Sequence, residues 1–178
     1  MKGLGHAILC GETLIGDQPF AVLLADDLCD APSKGVLAQM VELYKKYGCS
    51  IVAIEEVPKE ETNKYGVIAG NEIEPGIYMV KDMVEKPEPE VAPSNLAIIG
   101  RYILTPDIFN IIRETKPGKG GEIQITDALL TQAKNGMVLA FKFDGQRFDC
   151  GSIDGFVKAT NYFYNKSTKQ EEEKKPKK

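Results

Sequence analysis

The chain has 178 residues, 43% of them apolar, which is enough for one domain with a buried core. No apolar run approaches the roughly eighteen residues of a membrane-spanning helix. The 22 Lys and Arg face 26 Asp and Glu for a net charge of −4; six lysines against three glutamates from Lys166 onward leave the preceding body at −7, which argues against a nucleic-acid partner.

The start, Met1-Lys2-Gly3-Leu4-Gly5-His6-Ala7, carries one charge and then glycines, and Ile8-Leu9-Cys10 is too short for the apolar stretch of a secretory signal. A cytoplasmic protein is expected. The glycines precede a helix and would let backbone amides approach a base or phosphate closely. Gln18 to Ala25 is a continuous apolar run of strand length, as in a parallel strand covered on both faces. Val36, Leu37, Met40, Leu43, Tyr44 and Tyr47 recur at spacings of three and four, predicting an amphipathic helix from Lys34 to Tyr47 with Gly48 as its stop. Ser50 to Val57 returns to strand, completing a strand, helix, strand unit with a right-handed crossover.

Tyr65–Ala69, Tyr78–Glu85 and Leu96–Leu104 are β-rich runs separated by Gly, Asn and Pro, predicting a mixed or antiparallel patch. Thr105-Pro106-Asp107 opens a short helix through Ile112. Beyond Gly118 to Gly121, a helix is predicted over Glu122 to Ala133, a strand over Met137 to Phe143, a turn at Asp144-Gly145 and a last helix over Ser152 to Tyr164. The segment 166–178 is highly charged and reads as a disordered tail, and 1–165 as one domain. Cys10, Cys29, Cys49 and Cys150 share no Cys-x-x-Cys spacing and sit in or beside apolar segments, so buried free thiols are expected. With His6 alone, no histidine-rich metal site is available.

Asp26 and Asp149 each end an apolar run that reads as a buried strand. Two hard oxygen ligands at strand ends are what Mg²⁺ needs to carry a nucleotide phosphate, although an Asp after a strand also serves as a cap or turn former. Val84-Glu85-Lys86-Pro87 sets a carboxylate and an ammonium at one strand end, able to accept sugar hydroxyls and neutralise a phosphate, or simply to form an exposed pair. Tyr65-Gly66-Val67 puts a glycine inside a strand, where a ligand can approach the backbone.

These motifs, together with Leu24-Ala25-Asp26-Asp27, the run Ala92-Pro93-Ser94-Asn95-Leu96-Ala97-Ile98-Ile99-Gly100-Arg101-Tyr102, Glu122-Ile123-Gln124-Ile125-Thr126-Asp127 and Phe148-Asp149-Cys150-Gly151, stand in the order seen in bacterial UTP-glucose-1-phosphate uridylyltransferases. The chain resembles that family from Gly3 to about Tyr164. The resemblance implies an α/β Rossmann-like nucleotidyltransferase fold, a mixed sheet flanked by helices. It implies that UTP and glucose 1-phosphate give UDP-glucose and pyrophosphate, with Mg²⁺ held by Asp26 and Asp149. Lys86 would meet the sugar phosphate, Glu85 and the Gly66 amide the glucose hydroxyls, and Gly5 the uracil, with His6 beside it among the substrate contacts. Asn95 would orient the sugar site from the next strand. Glu122 and Asp127, set on one helix, would touch substrate or act as caps and supports. Family members also assemble as dimers or tetramers, so a homo-oligomer is open.

Members of the family begin with a strand and a Gly-x-Gly-Thr-Arg loop that wrap the UTP triphosphate, and this sequence carries neither. The resemblance therefore implies a chain truncated at its N-terminus, missing its first βα units and exposing an apolar sheet edge. Two readings stay open: an impaired uridylyltransferase, and a non-catalytic chain, either a module that binds sugar phosphates or UDP-sugars or a regulatory fragment that pairs with another chain.

Overall fold

The computed structural model describes residues 2–173, with side chains to Lys169. Its strands are β1 (Phe20–Leu23), β2 (Asp27–Asp30), β3 (Ser50–Glu56), β4 (Gly66–Glu74), β5 (Ile77–Glu85), β6 (Leu96–Leu104), β7 (Val138–Lys142) and β8 (Gln146–Asp149). Its α-helices are α1 (Leu4–Cys10), α2 (Glu12–Ile15), α3 (Val36–Tyr47), α4 (Ile108–Glu114), α5 (Ile125–Ala133) and α6 (Ile153–Glu173).

Six strands form one mixed sheet in the order β1-β6-β3-β7-β5-β4, with β3 and β7 parallel. The other pairings in that sheet are antiparallel. β2 and β8 make a separate antiparallel ribbon. In β3, Val52 and Ile54 point into an apolar cluster with Ile8 of α1, Phe109 of α4 and Leu129 of α5, while Ile51 and Ala53 point into a second cluster with Val36 and Met40 of α3. The period-two alternation of a strand thus feeds both faces, and both are covered by helices. α3 ends as its sequence predicts, with Gly48 at φ 65° donating its amide to the Tyr44 carbonyl at 2.8 Å.

Several expectations are corrected. The run Gln18 to Ala25 is not a strand covered on both faces. Among the described residues β1 lies at the sheet edge, pairs antiparallel with β6 alone, and alternates half-buried with exposed side chains, leaving Leu23 51% exposed. Asp149 ends a strand of the small ribbon rather than of the main sheet, and Asp26 lies in the turn between β1 and β2. α5 begins at Ile125, so Glu122 and Asp127 do not share a helix. The 122–123 backbone is taken by other partners: the Gly118 amide donates to the Glu122 carbonyl, the Ile123 amide to the Lys2 carbonyl and the Gly5 amide to the Ile123 carbonyl, all at 2.8–2.9 Å. A helix starting at Glu122 would need the Glu122 and Ile123 carbonyls as acceptors for amides one turn on, and both are already taken.

The last helix also runs past Tyr164 to Glu173, into the segment expected to be a disordered tail. Phe148 packs against Tyr162 and Phe163, and Lys166 pairs with Asp30, so α6 is tied down along β8 and β2. The rest of that tail, 174–178, lies outside the described residues. The four cysteines are free thiols, but Cys49 alone is buried and Cys10 is exposed. Among the described residues no helix is long and apolar enough to cross a membrane.

Candidate active site

Strand ends and loops from both sheets converge on a cleft of about 340 Å³ lined by Asp26, Gly66, Glu85, Lys86, Glu122 and Asp149, with Leu4, Tyr65, Tyr102, Thr126 and Arg147. Each residue arrives there by local structure. The turn after β1 carries Asp26, and the pairing of Asp27 with Asp149 across β2 and β8 brings the second carboxylate alongside. The Cys150 amide donates to the Asp26 carbonyl at 2.6 Å and closes this junction. A side chain at Gly151 would meet Asp149 Oδ1 at 3.1 Å and Asp26 Oδ2 at 3.5 Å, so both carboxylates border the same small volume.

That donor set suits a hard divalent cation. Among the described residues no group of three or more His, Cys, Asp or Glu could hold a metal unaided. A cation bound between the two aspartates would therefore fill its shell with ligand phosphate oxygens and water, as Mg²⁺ commonly does.

On the opposite wall, Gly66 of β4 is the register partner of Glu85 of β5. Glu85 Oε2 accepts the Thr126 hydroxyl at 2.6 Å, and its side chain is 14% exposed. A methyl group on Gly66 would come within 3.1 Å of Thr126 Oγ1 and 3.3 Å of Glu85 Oε2, so the absence of a side chain keeps this pair intact. Lys86 follows with φ 48°, a left-handed conformation unusual for a residue with a Cβ. It is held there by its amide donating to the Tyr65 carbonyl at 2.9 Å and its carbonyl accepting Lys119 Nζ. Such strain gathers where geometry matters more than local stability. The Lys86 ammonium lies 3.9 Å from Glu85 Oε1 and is half exposed, available to an anion.

Beneath the aspartates lies a buried ion cluster. Arg147, 7% exposed, pairs with Asp27, with Glu55 at 2.6 Å and with Asp149 Oδ2 at 3.2 Å. It also donates to the Tyr65 hydroxyl at 3.4 Å, and its guanidinium lies 5.1 Å from that ring. Burial acts to lower the Arg147 pKa, but Tyr65, Asp27 and Glu55 outweigh it and the value is raised. Burial raises the pKa of Tyr65, keeping its hydroxyl a neutral donor, which reaches Asp149 Oδ2 at 3.2 Å. Asp27 Oδ2 accepts the Gly100 amide at 2.6 Å, and Arg101 binds the Asp27 carbonyl.

Three expected residues stand apart. Gly5 is buried against Ile123, and His6 faces a neighbouring cavity of about 610 Å³ with Lys2, Gly3, Leu4, Ala7 and Glu122. Leu4 and Glu122 border both spaces. Asn95 is exposed and does not line the cleft; its carbonyl accepts the Val57 amide at 3.0 Å. Thr126, Asp27 and Arg147 had not been singled out in the sequence. The signal for Arg147 was its position two residues before Asp149, which in a strand puts both on one face.

The nucleotidyl transferase family profile matches residues 1–166. The chain is 70% identical over 165 residues to a UTP–glucose-1-phosphate uridylyltransferase of Pseudomonas aeruginosa, covering 92% of this chain and 59% of that protein. A namesake from Bacillus subtilis is 48% identical over 162 residues, covering 91% and 55%. Among solved structures, a UDP-glucose pyrophosphorylase complexed with UDP-glucose superposes with a TM-score of 0.91 at 65% identity, covering 93% of this chain and 64% of that one. The UTP-bound enzyme of Acinetobacter baumannii gives 0.79 at 36% identity, covering 90% and 56%. The chain thus spans little more than half the length of the curated relatives it matches, and over that span it belongs to the nucleotidyl transferase family.

Proposed function

We propose that the cleft is the sugar-phosphate site of a UTP–glucose-1-phosphate uridylyltransferase. The observation that carries this reading is the meeting of Asp26, Asp149, Glu85, Lys86 and Gly66 in one cleft, in a chain 70% identical to a protein of that name. Asp26 and Asp149 would hold Mg²⁺, which supplies charge neutralisation between the nucleotide and sugar phosphates when bound. Glu85, its Oε2 fixed by Thr126, accepts glucose hydroxyls beside the Gly66 amide. Lys86 neutralises the phosphate of glucose 1-phosphate, and its strained backbone keeps that ammonium at the mouth of the cleft. A phosphate oxygen of glucose 1-phosphate then attacks the α-phosphorus of UTP in line, and pyrophosphate leaves. No protein nucleophile takes part, so rate enhancement comes from positioning and from offsetting repulsion between two anions.

The chain alone should bind UDP-glucose and turn over UTP poorly. Among the described residues Lys64 and Lys86 are the ammonium groups lining the cleft, and Arg147 is committed to a buried cluster. Calorimetric titration with UDP-glucose and Mg²⁺, beside a coupled pyrophosphate-release assay, tests both halves. Binding with little turnover supports the reading. Full turnover removes the impairment, and the absence of binding removes the site.

A further inference from the structure

We infer that Tyr65 and Arg147 are positioning residues for Asp149, fixing its Oδ2 so that Oδ1 is the oxygen offered to a cation shared with Asp26. Both roles rest on the sugar-nucleotide reading above and deepen it.

A carboxylate oxygen has about two lone-pair sites. On Oδ2 of Asp149 both are taken, by the Tyr65 hydroxyl and by an Arg147 nitrogen, each at 3.2 Å. Among the described residues Oδ1 accepts only the Gly151 amide, at 3.1 Å, and it is the oxygen that shares the volume over Gly151 with Asp26 Oδ2. The Asp149 side chain is 42% exposed, so without these partners it would be free to sample other rotamers. The partners themselves cannot drift. Arg147 is 7% exposed and forked onto Asp27 and Glu55, and Tyr65 stacks on its guanidinium. Alternation along β8 puts Arg147 and Asp149 on one face, and the pairing of Asp27 with Asp149 sets the distance between the ribbon's two strands. A cation near Arg147 meets no net repulsion, because Asp27, Glu55 and Asp149 surround the guanidinium and Asp26 adds a further negative charge.

Tyr65→Phe keeps the ring beside Arg147 and removes the hydroxyl that bonds Asp149 Oδ2 and Arg147. Mn²⁺ is titrated into the chain with saturating UDP-glucose and followed by electron paramagnetic resonance, for the unaltered chain, Asp149→Asn and Tyr65→Phe. Losing one hydrogen bond to a charged group should weaken Mn²⁺ binding by about tenfold in Tyr65→Phe, beside a small fall in thermal midpoint, because Arg147 loses the same hydroxyl as an acceptor. A purely structural tyrosine would shift the midpoint and leave Mn²⁺ affinity alone. Unaltered Mn²⁺ binding by Tyr65→Phe, beside a clear loss in Asp149→Asn, overturns this inference and leaves the site reading standing. No Mn²⁺ binding by the unaltered chain, or none lost in Asp149→Asn, overturns the site reading and this inference together.

Discussion

The Thr126 hydroxyl donates to Glu85 Oε2 at 2.6 Å and so ties the first turn of α5 to the last residue of β5. Glu85 is nearly enclosed, and a carboxylate in that setting keeps a fixed direction only if its oxygens have donors. Thr126→Val preserves shape and removes the donor. UDP-glucose affinity should fall by about tenfold, the worth of a hydrogen bond to a charged group. Calorimetry measures this, and an unchanged affinity would show that Glu85 is oriented without Thr126.

Gly66→Ala probes the same wall from the other strand. Its methyl group would stand 3.1 Å from Thr126 Oγ1 and 3.3 Å from both Glu85 Oε2 and Ile98 Cδ1, all close enough to force a shift. Overpacking of this kind costs about 1–3 kcal/mol. Because the contacts are the ligand-facing pair, UDP-glucose binding should weaken by more than the thermal midpoint suggests. A variant that loses stability but binds normally would take Gly66 out of the site.

How much of this was legible beforehand depended on whether local or distant contacts decide. α3 and its glycine stop follow from a repeat of apolar residues within one helix, and β3 from one apolar run, so both were readable. The start of α5 was not, because the 122–123 backbone is claimed by Lys2, Gly5 and Gly118, and no local pattern encodes those partners. β1 looked like a buried strand because its apolar residues are the same whether a neighbour covers it or not. In the site, Asp26, Asp149, Glu85, Lys86 and Gly66 stood out by residue type at strand ends. Thr126 and Arg147 did not, since a threonine and an arginine have no special meaning until their carboxylate partners are placed beside them.

Asp30 should make the docking of α6 sensitive to acid. Its pKa is lowered from 3.8, first by the hydrogen bond from Lys166 and then by that from Tyr162. A lowered carboxylate contributes stability that is present above the unfolded value and lost as pH falls through the folded one. Asp30→Asn should therefore lower the thermal midpoint slightly at pH 7, with the two curves converging below pH 3.8. Lys166 is raised by the same pair, so its contribution persists until pH rises beyond 10.5. A constant gap between the two proteins down to acid would mean that Asp30 acts through packing rather than charge.

Asp27 carries the largest expected stability effect. One of its oxygens accepts Arg147 Nε and the other the Gly100 amide, in a residue 6% exposed. An asparagine there has a single acceptor oxygen, so in either orientation its NH₂ group faces an N–H donor. The guanidinium also loses a buried counter-charge, a change that typically costs about 3–5 kcal/mol. Asp27→Asn should lower the urea midpoint sharply with an unaltered dependence on denaturant. Since Arg147 also holds Asp149 Oδ2, the variant should lose Mn²⁺ affinity even at temperatures where it remains folded. A loss below about 1 kcal/mol would place the cluster among solvated surface pairs, which its burial argues against.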